Sequence, residues 1–295
     1  TREYLSVLQK ELNTDISAKT ELGLDAKYAI TPNLTLDTTL NPDFAQVEAD
    51  VDEINLTRFP TRFAEQRPFF VEGNNAFLLP LELFFSRRIG SRGDILWGTK
   101  VTGKAGPYTV GVLASQTGDW DYLGIQDKDP TKEEATFGVM RLKRDVLGKS
   151  NVGFLFGDKE ISGNYSRVFG LDFSLRPGDI YFINGQVASA WNKNISSDNK
   201  VYFIDFSRQT DLFSARFFTR RLDPNFEINE LGFLRKEQFR GEQLSKLTWT
   251  FSPRPKQWNL RQAFFTGWID AQKPLPTNQY LTDQTAQDPS LIIDP

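Results

Sequence analysis

Apolar and polar residues alternate along most of the chain with a period of two, the spacing of a strand whose two faces meet different surroundings. Leu24, Ala26, Tyr28 and Ile30 share a face against Asp25 and Lys27. After Thr31-Pro32-Asn33 the pattern returns in Leu34, Leu36, Thr38 and Leu40, which predicts a hairpin with a short turn. The same logic pairs Ile95, Trp97, Thr99 and Val101 with Tyr108, Val110, Val112 and Ala114 across a Gly103–Pro107 turn. It pairs residues 135–143 with 152–156. It also pairs Phe169, Leu171, Phe173 and Leu175 with Tyr181, Ile183, Val187 and Trp191 across Arg176-Pro177-Gly178-Asp179. A fifth hairpin sets Tyr202, Ile204 and Phe206 against Phe213, Ala215 and Phe217. A sixth sets Leu247, Trp249 and Phe251 against Trp258, Leu260 and Phe264. Short turns alternate with longer polar connections at 117–134, 157–165, 192–200 and 221–243.

The polar face is unlike that of a strand in bulk water. It carries Gly170, Asp172, Ser174, Asn184 and Gln186 rather than rows of Lys, Glu and Thr, which suits a crowded, wet lumen. Trp97, Trp191, Trp249, Trp258 and Trp268 fall near strand ends, where aromatic girdles of a membrane barrel lie. The expected fold class is all-β: an antiparallel up-and-down transmembrane β-barrel of about 12 or more strands. Residues 1–295 read as a single barrel region, with short turns at one rim and long loops at the other. A large soluble sandwich with ordinary core aromatics is the competing fold.

Residues 41–90 break the rhythm. Charges that can pair, Asp43, Glu48, Asp50, Asp52 and Glu53 against Arg58, Arg62, Arg67, Arg87 and Arg88, are interleaved with phenylalanines. So long an insertion between strands is usually functional or folded inward, and a plug or constriction is expected. The stretches GLDAKYAITPNLTLDTTLNPDFAQVEAD, INLTRF, EQRPFFVEG and FFSRRIG, within residues 23–90, resemble a family of bacterial envelope proteins catalogued as DUF5916. In that family a domain like the family 9 carbohydrate-binding modules precedes a barrel-like region. The resemblance implies an outer-membrane location and a link to glycan handling, and it implies no reaction. This sequence departs from the family pattern in opening without the sugar-binding domain. It also closes on a polar tail, 272–295, without a final strand, as a fragment of a longer barrel would.

Charge changes the picture by exclusion. Thirty-five basic against 38 acidic residues leave a net charge of −3, so no nucleic-acid partner is expected. The chain has no His and no Cys, which removes thiol nucleophiles, Ser–His relays and the usual zinc sites. Oxygen chemistry remains. Asp43, Glu48, Asp50 and Asp52 are weak candidates for a Ca²⁺ site, against salt bridging to nearby arginines. Glu65 with Glu72, or Glu48 with Asp50, are conceivable carboxylate pairs, but a pair among 38 acids says little. The lumen or constriction candidates are Arg58, Arg62, Arg67, Arg87, Arg88, Glu65 and Glu72, because the guanidinium fork matches carboxylated solutes and lines anion-selective rings. Trp120, Tyr122 and Phe226 are loop aromatics suited to stacking on sugars. No catalytic residue and no cofactor is expected.

The expected function is that of a channel, a transport-related component or a membrane anchor for small solutes or glycans. The expected partners are outer-membrane lipid, a glycan or small solute, and other envelope proteins. A soluble carbohydrate-active or carbohydrate-binding β protein and a structural subunit of an envelope complex stay open as alternatives. An apolar outside with polar groups inside favours the barrel; the reverse favours the sandwich.

Overall fold

A computed structural model describes residues 23–42, 61–118, 133–161, 163–195, 197–234, 241–252 and 265–274, the last of these in backbone only. Its twelve strands form one antiparallel meander in which every strand pairs with its sequence neighbours. They are β1 Leu24–Thr31, β2 Leu34–Leu40, β3 Asp94–Ala105, β4 Tyr108–Gly118, β5 Ala135–Val146 and β6 Ser150–Ile161. β7 Asn164–Leu175, β8 Tyr181–Asn192, β9 Lys200–Arg208, β10 Phe213–Leu222, β11 Glu242–Phe251 and β12 Phe265–Pro274 complete the sheet.

The all-β antiparallel architecture is as expected. The expected closure is not observed: among the described residues β1 and β12 are the two edges of an open sheet. Two connections also differ. The stretch 157–165 is not a long loop, because β6 and β7 run on to an Ile161↔Asn164 pair around Gly163, whose φ of 79° suits glycine. The return strand of the sixth hairpin begins at Phe265, opposite Phe251, so it lies beyond Trp258 and Leu260, and residues 272–274 belong to it rather than to a tail. Period-two patterns extend over both stretches, and alternation alone does not fix which residues pair.

The connections between odd and even strands, such as Gly106-Pro107 between β3 and β4, are mostly short and share one rim. The connections at the opposite rim include the insertion after β2 and the segment after β10. Both turn back over the concave face of the sheet. The insertion contributes a helical turn at Pro68–Val71, entered through proline, and 3₁₀ turns at Asn74–Ala76 and Ser86–Arg88. Its Phe70, Ala76, Phe77, Leu83, Phe84 and Ile89 form one buried cluster with Phe226, Ile228, Leu231 and Leu234 of the second segment. Inward wall residues such as Leu113, Phe137, Leu155 and Val168 belong to the same cluster. Burying each such side chain contributes on the order of 1.5–3 kcal/mol, far beyond what the short helical turns gain on their own.

The convex face is different in kind. Eleven outward apolar side chains on β4–β11, from Val112 to Phe251, are 37–47% exposed. On the inward side Lys100, Arg141, Lys159, Asp172 and Gln186 are each at most 7% exposed.

Candidate functional site

The seam between the wall and the inward segments is built around small wall residues. Phe69 rests over Gly98, where a Cβ would lie 3.0 Å from its ring, and Phe77 rests over Gly111 at 2.9 Å. Leu83 sits on Gly170, and Leu231 approaches Gly157 at 3.5 Å. A glycine inside a strand costs roughly 0.5–1 kcal/mol, but each one admits a Phe or Leu whose burial returns more. The exchange favours a wall with sockets.

Buried polar groups register the insertion against the wall. The Lys100 ammonium on β3 donates to the carbonyls of Phe69 and Glu72 at the end of the Pro68–Val71 turn, with Asp37 of β2 3.6 Å away. Oε1 of Gln186 on β8 accepts from the Leu81 backbone N–H at 2.7 Å. Lys27 on β1 pairs with Glu72. One insertion therefore touches β1, β3, β4, β7 and β8, which requires the sheet to curve around it. Below it, Arg141 on β5 and Asp172 on β7 form an ion pair at 2.8 Å, with side-chain exposures of 1% and 6%. Arg141 Nη1 also donates to the Phe154 carbonyl at 3.0 Å, in space left by the missing side chain of Gly153.

The sequence-derived candidates fall into two sets. Asp43, Glu48, Asp50, Asp52, Glu53, Arg58, Trp120 and Tyr122 lie outside the described residues. The others hold the insertion together. Glu65 accepts from Arg67 Nε at 2.8 Å, Arg67 Nη2 at 2.7 Å and Ser86 Oγ at 2.6 Å. Burial opposes the Glu65 charge, yet Arg67 and Ser86 outweigh it and hold the carboxyl below the usual carboxylate range. Arg67 also donates to the carbonyls of Ile89 at 2.7 Å and Ser86 at 3.0 Å and stacks 4.3 Å from the Phe70 ring centre. Arg62 pairs with Glu82, which raises its pKa above the ordinary guanidinium value, and lies over Phe85. Arg87 donates to the Ala64 carbonyl and faces Phe63. Arg88 donates to the Gly232 carbonyl and faces Phe233. Glu65 and Glu72 thus answer to separate cations. Among the described residues there is no group of three or more acidic side chains placed to hold a metal.

The second inward segment, residues 223–234, is the part that sequence reasoning missed. Its backbone clasps the insertion through Phe85 N–H to the Leu231 carbonyl at 2.8 Å and Phe233 N–H to the Glu82 carbonyl at 2.9 Å. Phe85 and Phe233 meet edge to face. Phe226, expected to be a loop aromatic open to sugar, is wholly buried in this layer. At the rim, Lys159 on β6 bridges Glu133 at 2.6 Å and Glu230 at 2.7 Å, and Arg92 reaches both acids. Burial opposes the Glu133 charge, but Lys159 and Arg92 hold that carboxyl below its usual range. A visible signal for the segment was the apolar run Phe226, Ile228, Leu231, Phe233 and Leu234 inside a connection read as polar.

Residues 2–102 match the family model described as Domain of unknown function (DUF5916), so over that stretch the chain is similar to this family. No curated protein and no solved structure matches the chain.

Proposed function

We propose that this chain forms the wall and the seated plug of a bacterial outer-membrane β-barrel, a transport component whose resting state is closed. The uncovered convex face carries the reading. A soluble monomer seldom leaves so broad an apolar surface open, whereas lipid is its natural neighbour. Moving eleven side chains that are 37–47% exposed out of water is worth on the order of 10 kcal/mol in total. The strands support it too, since several span 12 residues against the ~9–11 needed to cross a bilayer at a tilt. No described helix is long and apolar enough to cross a membrane, which leaves crossing by strands untouched. Barrel closure, on this reading, comes from the edges of β1 and β12 meeting each other or further strands.

The closed state rests on the inward layer. Two segments fill the concavity with packed phenylalanine and leucine, so passage of a small solute needs at least one of them to shift. Fractionation of cells followed by a heat-modifiability gel tests the barrel. Recovery in the outer membrane with a band that shifts on boiling is expected. A protein recovered from the aqueous fraction, with no shift, would overturn the proposal.

A further inference from the structure

The convex face is not uniformly filled. A hollow of about 680 Å³ runs across it from β4 to β9. Its lining includes Leu142, Phe154, Leu171, Val187 and Ile204, all outward and apolar. The register shows its course. Tyr108 pairs with Arg144, Arg144 with Val152, Val152 with Phe173, Phe173 with Gly185 and Gly185 with Ile204. Tyr108 is the first residue of β4, at the short-turn rim, while Ile204 is the fifth of the nine in β9. The hollow therefore starts at the rim and ends in the middle of the apolar belt. Five strand spacings make it roughly 24 Å long, the reach of an extended acyl chain.

The rim end is charged. Arg144 and Tyr108 line the hollow there, with the guanidinium 5.5 Å from the Tyr108 ring centre. Among the described residues Arg144 has no ion-pair partner. Its neighbours Lys104 and Asp145 neutralise each other at 3.1 Å, which leaves the Arg144 charge at the mouth. A cation at a headgroup-level rim, beside a tyrosine and at the head of an apolar trough, matches an anion carrying a long hydrocarbon tail.

We propose that this hollow is a binding site for an anionic phospholipid of the surrounding bilayer, with its phosphate at Arg144 and one acyl chain along Leu142, Phe154, Leu171 and Val187. The inference rests on the barrel reading and adds a specific lipid to it. The test reconstitutes the full-length protein in vesicles of phosphatidylethanolamine with a minor share of phosphatidylglycerol. The protein is then extracted in mild detergent and its retained lipid is quantified by mass spectrometry. Phosphatidylglycerol is expected about fivefold enriched over the vesicle mixture. Arg144→Gln should return it to the mixture ratio, and Val187→Trp, which fills the trough and leaves the charge, should lower total retained lipid. Each variant is checked for heat-modifiability. Inserted, heat-modifiable protein that retains lipid in the vesicle ratio, or enrichment that survives Arg144→Gln, overturns the site and leaves the barrel standing. Failure of the wild type to insert overturns both.

Discussion

Replacing Arg141 by methionine removes a charge from a deeply buried ion pair and keeps most of the side-chain volume. Arg141 and its partner Asp172 are 1% and 6% exposed, and the carboxylate has no other cation beside it among the described residues. If the space under the insertion is dry, the variant strands a buried carboxylate, and losing one partner of such a pair costs about 3–5 kcal/mol. Replacing both partners, Arg141→Met with Asp172→Leu, should recover most of that, because two desolvation penalties vanish with the lost attraction. If lumen water reaches the pair, screening brings the single-variant cost down to about 1 kcal/mol or less. The assay is urea unfolding of detergent-folded protein followed by tryptophan fluorescence, with the four proteins compared as a double-mutant cycle. A single-variant loss below about 1 kcal/mol would refute the reasoning that the inward layer seals its space.

Three further expectations follow from other parts of the layer. Gly232→Ala puts a Cβ 2.8 Å from the backbone of Leu83, where no flexible side chain can yield, so the clasp should open at a cost of about 1–3 kcal/mol. Limited proteolysis should then cut within residues 223–234 faster than in the wild type, and an unchanged digest would count against the clasp. Glu65 has a lowered folded pKa, so its contribution to stability is complete above about 4.5 and is lost as pH falls below that value. Glu65→Gln should therefore be less stable at neutral pH and lose less on acidification, whereas parallel stability curves would argue against the cluster. Finally, Ala76→Cys with Gly111→Cys places two Cβ atoms near 3.2 Å apart in a chain that has no other cysteine. Oxidation should suppress solute flux in proteoliposomes and reduction should restore it; flux indifferent to the cross-link would show that the solute does not need the insertion to move.

The strand ladder was legible because period two is a local signal: the alternation around Leu171 and Phe173 needs no knowledge of the rest of the chain. Register in the sixth hairpin was not, since Trp258 and Leu260 alternate as well as the residues that pair do. Residues 41–90 stood out in the sequence by their length and charge, but the roles of the arginines among the described residues 61–90 were less plain. Arg67 and Arg88 spend their donors on carbonyls of Ile89, Ser86 and Gly232, partners that only the folded backbone brings near. The second segment was hidden for a related reason. Its polar residues match a loop, and the apolar ones are buried only because the insertion lies against them. Gly170 carried the same ambiguity, being read as part of a polar face when it serves as the socket for Leu83.

The two faces together explain how a chain with a mean hydropathy of −0.43 displays so much apolar surface. Strands β4–β11 give many outward positions to Val, Leu, Met and Phe, and their inward positions to a mixture of glycine, charged, polar and apolar side chains. Inward polar groups such as the Lys100 ammonium and the Gln186 amide would be poor choices against bulk hydrocarbon, and they are equally poor choices unpaired in a dry core. They become favourable where a folded-in backbone offers carbonyls and N–H groups that its own short turns leave unsatisfied, as the Phe69, Glu72 and Leu81 groups do. The wall and the insertion are therefore written for each other. Cutting out residues 61–90 would take from Lys100 and Gln186 their backbone partners at Phe69, Glu72 and Leu81 and would leave the glycine sockets with no occupant, so the insertion is part of what makes this wall a stable sheet.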